Sequence, residues 1–290
     1  MKHIHVPLAG SHKGQNGRLL LIGGSRLFHA ASIWSLTVAS RIVDLVHYAS
    51  VPENNELIKE AKKEFRNGIV IERKDIESYI KEDDCILIGP GMVRDEETRT
   101  LTNRLLKAYP NKQWVIDAGA LQMMDISLIP KHAVLTPHLK EFESLIIRAE
   151  VANQNFRVLR SPLINSGAPS AQGSNFHSLP ARKKAVAWFA KKYHCIVLLK
   201  GEKDIVSDGE ETHTIAGGNA GMTKGGTGDV LAGLIAALCC TNDPSVSTIV
   251  GSRINKQAGD ELYKSVGPYF NATDLANQIP KTMKEFLQIK

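Results

Sequence analysis

Short aliphatic runs recur along the chain and constrain its fold more than any other feature: RLLLIG (18–23), VDLVHYASV (43–51), GIVIE (68–72), CILIG ahead of Pro90, QWVIDA (113–118), HAVLT (132–136) and CIVLLK (195–200). Most are continuous rather than alternating, the pattern of strands buried on both faces. Helix-like segments lie between them, near 30–42, 53–66, 95–109, 138–149 and 181–193. Strand and helix therefore alternate, which predicts an α/β fold with a mainly parallel central sheet flanked by helices on both faces. After the last run, DIVS (204–207) and THTI (212–215) are separated by Asp208-Gly209, a hairpin signal. From Lys224 the chain reads as helical to its end.

Length allows up to two domains at about 150 residues each, but α/β folds of this size commonly form one, so a single domain over 1–290 is predicted. The stretch 151–180, rich in Asn, Ser, Gly, Pro and Gln, breaks the rhythm and reads as a loop insertion on the surface of that domain. A functional loop is the alternative. With 43% hydrophobic residues and a net charge of +6, the chain is neither disordered nor fibrous. It has no run of five or more Lys/Arg, so nucleic acid is not called for, and anionic small molecules suit the mild basic bias equally well. Its longest apolar run, Val230 to Cys240, is far short of the roughly 20 residues of a membrane span and reads as a buried helix. The N-terminal MKHIHVPLAGSHKGQNG has no apolar stretch of about 7–15 residues, so no secretory signal is read and a cytoplasmic location is expected. Cysteines at 85, 195, 239 and 240 have no CxxC spacing and read as buried thiols in a reducing compartment, leaving any metal chemistry to oxygen ligands. In Asn271-Ala272-Thr273, Thr273 is expected to open the last helix with Asp274 behind it.

The segment GGNAGMTKGGTGDVLAGLIAAL (217–238) is the most informative for chemistry. Gly225, Gly226 and Gly228 let backbone amides converge, and the following helix adds unpaired N–H groups and a positive dipole end, so an anion belongs there. Thr227 can add a hydroxyl donor, and Asp229 falls in the first helical turn. The segment is neither a Walker A sequence nor a GxGxxG fingerprint. Other polar residues cluster at strand ends, where open parallel sheets gather ligands: GPGM (89–92), DAGAL (117–121), TPHLKEF (136–142) and KGEKD (200–204). Each alone has an ordinary role, Gly-Pro-Gly a turn, Asp117 a helix cap, His138 a satisfied histidine and Lys200 a solvated charge. Together with the glycine loop they point to one ligand crevice.

The set GPG, DAxAL, LTPH, LKG and N-x-G-M-x-x-GGTGDVLAG resembles the ADP/ATP-dependent NAD(P)H-hydrate dehydratases, whose domain is similar to the ribokinase superfamily. The resemblance runs from IGGS (22–25) to the C-terminal helices. It implies a ribokinase-like fold in a stand-alone dehydratase domain, without the epimerase domain often fused in front. The implied reaction is repair of NADH or NADPH hydrated at nicotinamide C6: ADP or ATP, with Mg²⁺, phosphorylates the 6-hydroxyl and phosphate is then eliminated. Position by position, the resemblance makes Asp229 the base on the substrate hydroxyl and puts Gly225, Gly226, Thr227 and Gly228 around the transferring phosphate. It places Lys200, Gly201, Glu202, Lys203, Asp204 and Asn219 on the nucleotide side, and Ala31, Ser32, Gly91 and His138 on the hydrated dinucleotide. It also implies a homo-oligomer. A helix N-terminus stabilises a carboxylate, so Asp229 is expected to be ionised but weakly basic, accepting its proton late.

The chain departs from the family pattern at four places. Leu27, Phe28 and His29 occupy small-residue positions in RLFHAAS (26–32), Leu139-Lys140 replaces Pro-Gly after TPH, Gly119 replaces a carboxylate, and Asp204 replaces Thr, adding negative charge beside the nucleotide. These bear on substrate and nucleotide preference rather than on fold. Two other functions fit the same residues: a kinase for a vitamin-like or sugar alcohol, which would stop after phosphorylation, and a nucleotide-binding protein without turnover.

Overall fold

The structure is a computed structural model that describes residues 4–151 and 178–289, so the insertion expected at 151–180 falls, apart from its edges, outside the described residues. Among the described residues nine strands form one sheet in the order β3-β2-β1-β4-β5-β6-β7-β8-β9. They are β1 (Arg18–Ile22), β2 (Leu45–Ala49), β3 (Ile69–Ile71), β4 (Cys85–Ile88), β5 (Gln113–Ile116), β6 (Val134–Leu135), β7 (Ile196–Leu199), β8 (Asp204–Ser207) and β9 (Thr212–Ile215). All neighbours from β3 to β7 pair in parallel. The hairpin expected around Asp208-Gly209 adds β8 and β9 antiparallel at one edge.

The continuous apolar runs follow from burial on both faces. Leu20, Ile22, Ile86, Ile88, Trp114 and Ile116 enter one core, and the alternate residues Leu19, Leu21, Cys85, Leu87 and Val115 enter the other. The first core is covered by α3 (Ile76–Glu82), α4 (Glu96–Ala108), α5 (Ala118–Met123), α6 (Leu139–Val151) and α7 (Leu179–Tyr193), through residues such as Ile80, Leu105, Leu121, Phe142 and Phe189. The second is covered by α1 (His29–Ala39), α2 (Pro52–Ala61) and α8 (Thr227–Cys239).

A further apolar cluster, including Val230, Leu234, Val250, Ile254, Leu275 and Ile279, joins α8 to α9 (Pro244–Val266) and α10 (Ala272–Phe286). Helix α8 is thus sandwiched between the sheet and two helices. That position explains why it is apolar all round, since each of its sides meets protein. At α10 the cap differs from expectation: Asn271, not Thr273, is the N-cap, accepting from the Thr273 and Asp274 amides, while Asp274 accepts from the Asn271 amide. The Thr273 hydroxyl instead accepts a hydrogen bond from Trp34 Nε1 at 3.0 Å.

Strand β1 has β2 on one side and β4 on the other, so the connections leave it in opposite directions. Such a reversal opens a crevice at the C-terminal strand ends. Here the turns after β1 and β4 meet, with the Gly24 amide donating to the Pro90 carbonyl at 2.7 Å.

Candidate active site

Helix α8 begins at the C-terminal edge of the sheet, and its first turn separates two clefts. Gly226 caps it with a φ of 96°, and a Cβ there would lie 2.4 Å from the Trp34 ring, so this position admits only glycine. No side chain caps the turn. Gly225 and Gly228 are different: a Cβ at Gly225 would meet nothing within 4 Å, and at Gly228 only Lys200 Nζ at 3.4 Å. Protein packing therefore does not require glycine at either position, whereas close approach of a ligand to the backbone would.

The first cleft, about 580 Å³, is lined by His138, Lys200, Gly201, Glu202, Asp204, the loop Gly217–Thr223, Thr227, Gly228 and Lys256, among others. Its walls are held by buried polar bonds. Lys256 Nζ donates to the carbonyls of Gly201 (3.0 Å), Glu202 (3.1 Å) and Gly217 (3.1 Å), and pairs with Asp204 Oδ1 at 3.3 Å. Asp204 also accepts from the Gly201 amide at 2.9 Å and from Ser252 Oγ at 2.8 Å. One turn further along α9, Asp260 accepts from the Gly218 amide (3.0 Å) and from Asn219 Nδ2 (3.1 Å).

The second cleft, about 440 Å³, is lined by Phe28, Ala31, Gly91, Met92, Val93, Arg94, Ala118, Gly119, Gln122 and Asp229. Asp229 is set at its edge by helix packing: Ser35 Oγ on α1 donates to the Asp229 carbonyl at 2.7 Å. Burial pushes the Asp229 carboxyl up to about 7, the charge of Asp117 adds to the rise, and Lys200 opposes it. This overturns the weak base expected from the helix N-terminus, because burial and a neighbouring carboxylate outweigh the dipole. Lys200 Nζ pairs with Asp117 Oδ1 at 3.0 Å. Burial pulls the lysine's pKa down, but the Asp117 and Glu141 carboxylates outweigh that and hold it above the usual lysine value.

The sequence-predicted residues are thus divided between the clefts, and some change role. Lys200, Gly201, Glu202, Asn219 and Gly228 line the first, and Ala31, Gly91 and Asp229 the second. His138 lines the first cleft rather than the second, apart from Ala31 and Gly91. Ser32 is fully buried beneath the surface, its hydroxyl paired with Tyr48 Oη at 2.7 Å, so it does not reach the second cleft. Lys203 is exposed and lines neither cleft, and Gly225 and Gly226 border rather than line them. The Thr227 hydroxyl closes its own loop, donating to the carbonyls of Met222 (2.7 Å) and Lys224 (3.0 Å), so it is not a free donor to a ligand. The Asn219 amide is likewise committed, its Oδ1 accepting from the Gly221 amide at 2.9 Å. Asp117 makes no cap bond to the helix it opens, and the charge of Asp204 is balanced by Lys256 within the wall.

Among the family departures, Phe28 lines the second cleft while Leu27 is exposed, and His29 Nδ1 lies 3.1 Å from Asn54 Oδ1. A Cβ on Gly119 would stand 2.1 Å from the Met92 carbonyl oxygen, so this backbone excludes the carboxylate the family pattern carries there. Sequence reading missed Lys256, which sits in an ordinary helical pattern, and Glu141, whose carboxylate accepts from the His138 amide (2.8 Å) and Gln122 Nε2 (2.7 Å). Glu141 lies within the TPHLKEF stretch, three residues after His138, and that spacing was its available signal.

The family model for NAD(P)H-hydrate dehydratase matches residues 19–281. The chain is 32% identical over 295 residues to the ADP-dependent (S)-NAD(P)H-hydrate dehydratase of Nitrosopumilus maritimus, covering 96% of this chain and 92% of that one. It is also 32% identical over 287 residues to a bifunctional NAD(P)H-hydrate repair enzyme of Methanocaldococcus jannaschii, of which it spans 50% of the length. The chain thus spans about half the length of several curated relatives it matches. A Bacillus subtilis ADP/ATP-dependent NAD(P)H-hydrate dehydratase, co-crystallised with ATP/Mg²⁺, shares its fold at a TM-score of 0.75 and 22% identity, over 97% of this chain and 94% of that chain. With the family model running across both clefts and a near-full-length relative at this identity, the chain belongs to the NAD(P)H-hydrate dehydratase family.

Proposed function

We propose that this chain, as a single ribokinase-like domain, uses ADP or ATP to dehydrate the C6-hydroxy forms of NADH and NADPH, a metabolite repair reaction. The observation that carries the reading is the position of Asp229: its carboxylate lines one cleft, while the adjoining Gly228 and Lys200 line the other. A donor phosphate in the first cleft and an alcohol in the second would meet across one helical turn.

In this reading the nucleotide lies along Lys200–Glu202 and the loop at Gly217–Asn219, with its terminal phosphate against the Gly228 amide and Lys200. The substrate hydroxyl faces Asp229, which takes its proton as the oxygen bonds to phosphorus and the shorter nucleotide leaves. Loss of phosphate from C6 and of the adjoining C5 proton then restores the ring double bond. A carboxyl poised near 7 suits that proton transfer better than an ordinary aspartate. Lys200, buried and held, offsets the charge spread over the transferring group. Among the described residues no group of three or more His, Cys, Asp or Glu could hold a metal, so Mg²⁺ would enter on the nucleotide's phosphates, where it neutralises oxygen charge. The same reading includes a homo-oligomer working in the cytoplasm; among the described residues no helix is long and apolar enough to cross a membrane.

The test is a product assay. Hydrated NADH or NADPH with ADP, and separately with ATP, should regain absorbance near about 340 nm with equimolar phosphate release. Accumulation of a phosphorylated alcohol would make the chain a kinase, and ligand-induced thermal stabilisation without phosphate would make it a binding protein.

A further inference from the structure

The ends of three adjacent strands are tied by one carboxylate that lines neither cleft. Asp117 follows β5 and is 2% exposed. Its Oδ1 accepts from Thr136 Oγ1, at the end of β6, at 2.8 Å, and from Lys200 Nζ, at the end of β7, at 3.0 Å. Although it stands at the N-cap of α5, its side chain makes no bond to that helix. It turns instead toward the lysine, whose ammonium lies 3.4 Å from where a Cβ of Gly228 would be, against the first turn of α8. A buried ion pair is a weak source of stability, because desolvation offsets most of the attraction. What this pair does provide is a fixed cation: a lysine stem has several free torsions, and one bond from a rigid, buried carboxylate removes most of them.

We propose that Asp117 is a positioning residue for the reaction: it holds Lys200 on the wall of the first cleft, against the first turn of α8 where the phosphoryl group would cross, and keeps negative charge near Asp229. The inference rests on the dehydratase reading for the reaction that Asp117 serves and for the kinetic assay, whereas the charge coupling between Asp117 and Asp229 does not. The charged groups facing Asp229 are Asp117 on the β5–α5 turn, Glu141 on α6 and Lys200 after β7. Glu141 is itself held by Gln122 and the His138 amide, so Asp117 is the one whose removal leaves Lys200 untethered. With Asp117 neutral, Asp229 has less negative charge nearby and gives up its proton at lower pH.

Asp117→Asn is the direct test, with kcat, KM and the pH profile of each measured on the full chain. The expected result is a fall in kcat of about 10-fold or more, with nucleotide KM changed by less than about 3-fold, and an acidic limb of the kcat profile displaced to lower pH. Wild-type kcat, or a loss of kcat with the limb in its original place, overturns the proposal. Asp117→Glu keeps the charge but misplaces the ammonium, so it should lose kcat without moving the limb. If Asp117→Asn does not fold, that variant decides, and wild-type kcat in it overturns the idea.

A readout free of the substrate separates this inference from the dehydratase reading. Asp229→Asn should raise the melting temperature at about pH 8, and this gain should be smaller in an Asp117→Asn background and undiminished in an Asp117→Glu background. An equal gain in the Asp117→Asn background would refute the proposed charge coupling even if no turnover were ever seen.

Discussion

The two clefts beside the first turn of α8 are walled by different means. In the first, side chains from distant segments are cross-linked through buried charge, with Lys256 fastening the turn after β7 to the start of the glycine loop and Asp204 compensating it. In the second, the walls are backbone turns packed too closely to accept side chains: a Cβ on Gly91 would lie 2.6 Å from the Phe28 carbonyl, and on Gly119 2.1 Å from that of Met92. In the first cleft the negative charge that Asp204 brings, where the family pattern has Thr, is met by the Lys256 ammonium at 3.3 Å. The second depends on backbone shape, which leaves its rim free to vary, and Phe28 and Arg94 occupy that rim.

The largest effect should come from breaking the charge lattice of the first cleft. Lys256→Met leaves Asp204 buried without its cation, which costs about 3–5 kcal/mol, read by urea denaturation. Nucleotide KM should rise along with the loss of stability, because both walls lose their strap. Adding Asp204→Thr should recover part of that loss, since removing both charges relieves the unpaired one. If the double variant is as unstable as Lys256→Met, the two residues do not compensate.

Next in size is Asp229→Asn, expected to lower turnover about 100-fold or more while both ligands still bind, measured by single-turnover kinetics and calorimetry. The same residue fixes the pH dependence. Its carboxyl titrates near 7 in the fold against an ordinary 3.8, so the folded chain holds a proton that the unfolded chain has lost between those values. The associated stability is fully present below the lower value and declines as pH rises through about 7. Activity needs the ionised form, so kcat should rise with an acidic limb near pH 7. Asp229→Asn should therefore melt a few degrees higher than the parent at about pH 8 and equally at about pH 4. A limb near an ordinary aspartate value would return Asp229 to the weak base that its helix position suggested.

The sheet was legible in the sequence because strands buried on both faces leave continuous aliphatic runs, and α8 because a helix enclosed on every side has no polar face. Asp229 was legible as a residue but not in its proton affinity. The helix dipole is local and visible in sequence, whereas burial and the charge of Asp117 come from the packing of α1 and the order β5-β6-β7. Thr227 was misread for a similar reason: a hydroxyl beside a glycine loop looks available until the loop's own carbonyls at Met222 and Lys224 take it. Lys256 and Asp204 meet because α9 packs beside the start of β8, a contact for which a single sequence carries no periodic or motif signal.

The smallest effect sharpens the contrast from the open side. Among the described residues lining the second cleft, Arg94 is the only cation, and it is exposed, whereas Lys200 and Lys256 in the first are buried or nearly so. An exposed charge attracts a dinucleotide's phosphates through water and is worth no more than about 1 kcal/mol. Arg94→Ala should thus raise KM for the hydrated dinucleotide about 2- to 5-fold and leave kcat unchanged, because the contact is equal in ground and transition states. The wild-type KM should rise as ionic strength increases, and the variant's should not, since screening acts only on a charge that is present. A salt response identical in the two proteins would remove Arg94 from substrate capture, and a fall in kcat would place it closer to the reacting atoms than the open rim suggests.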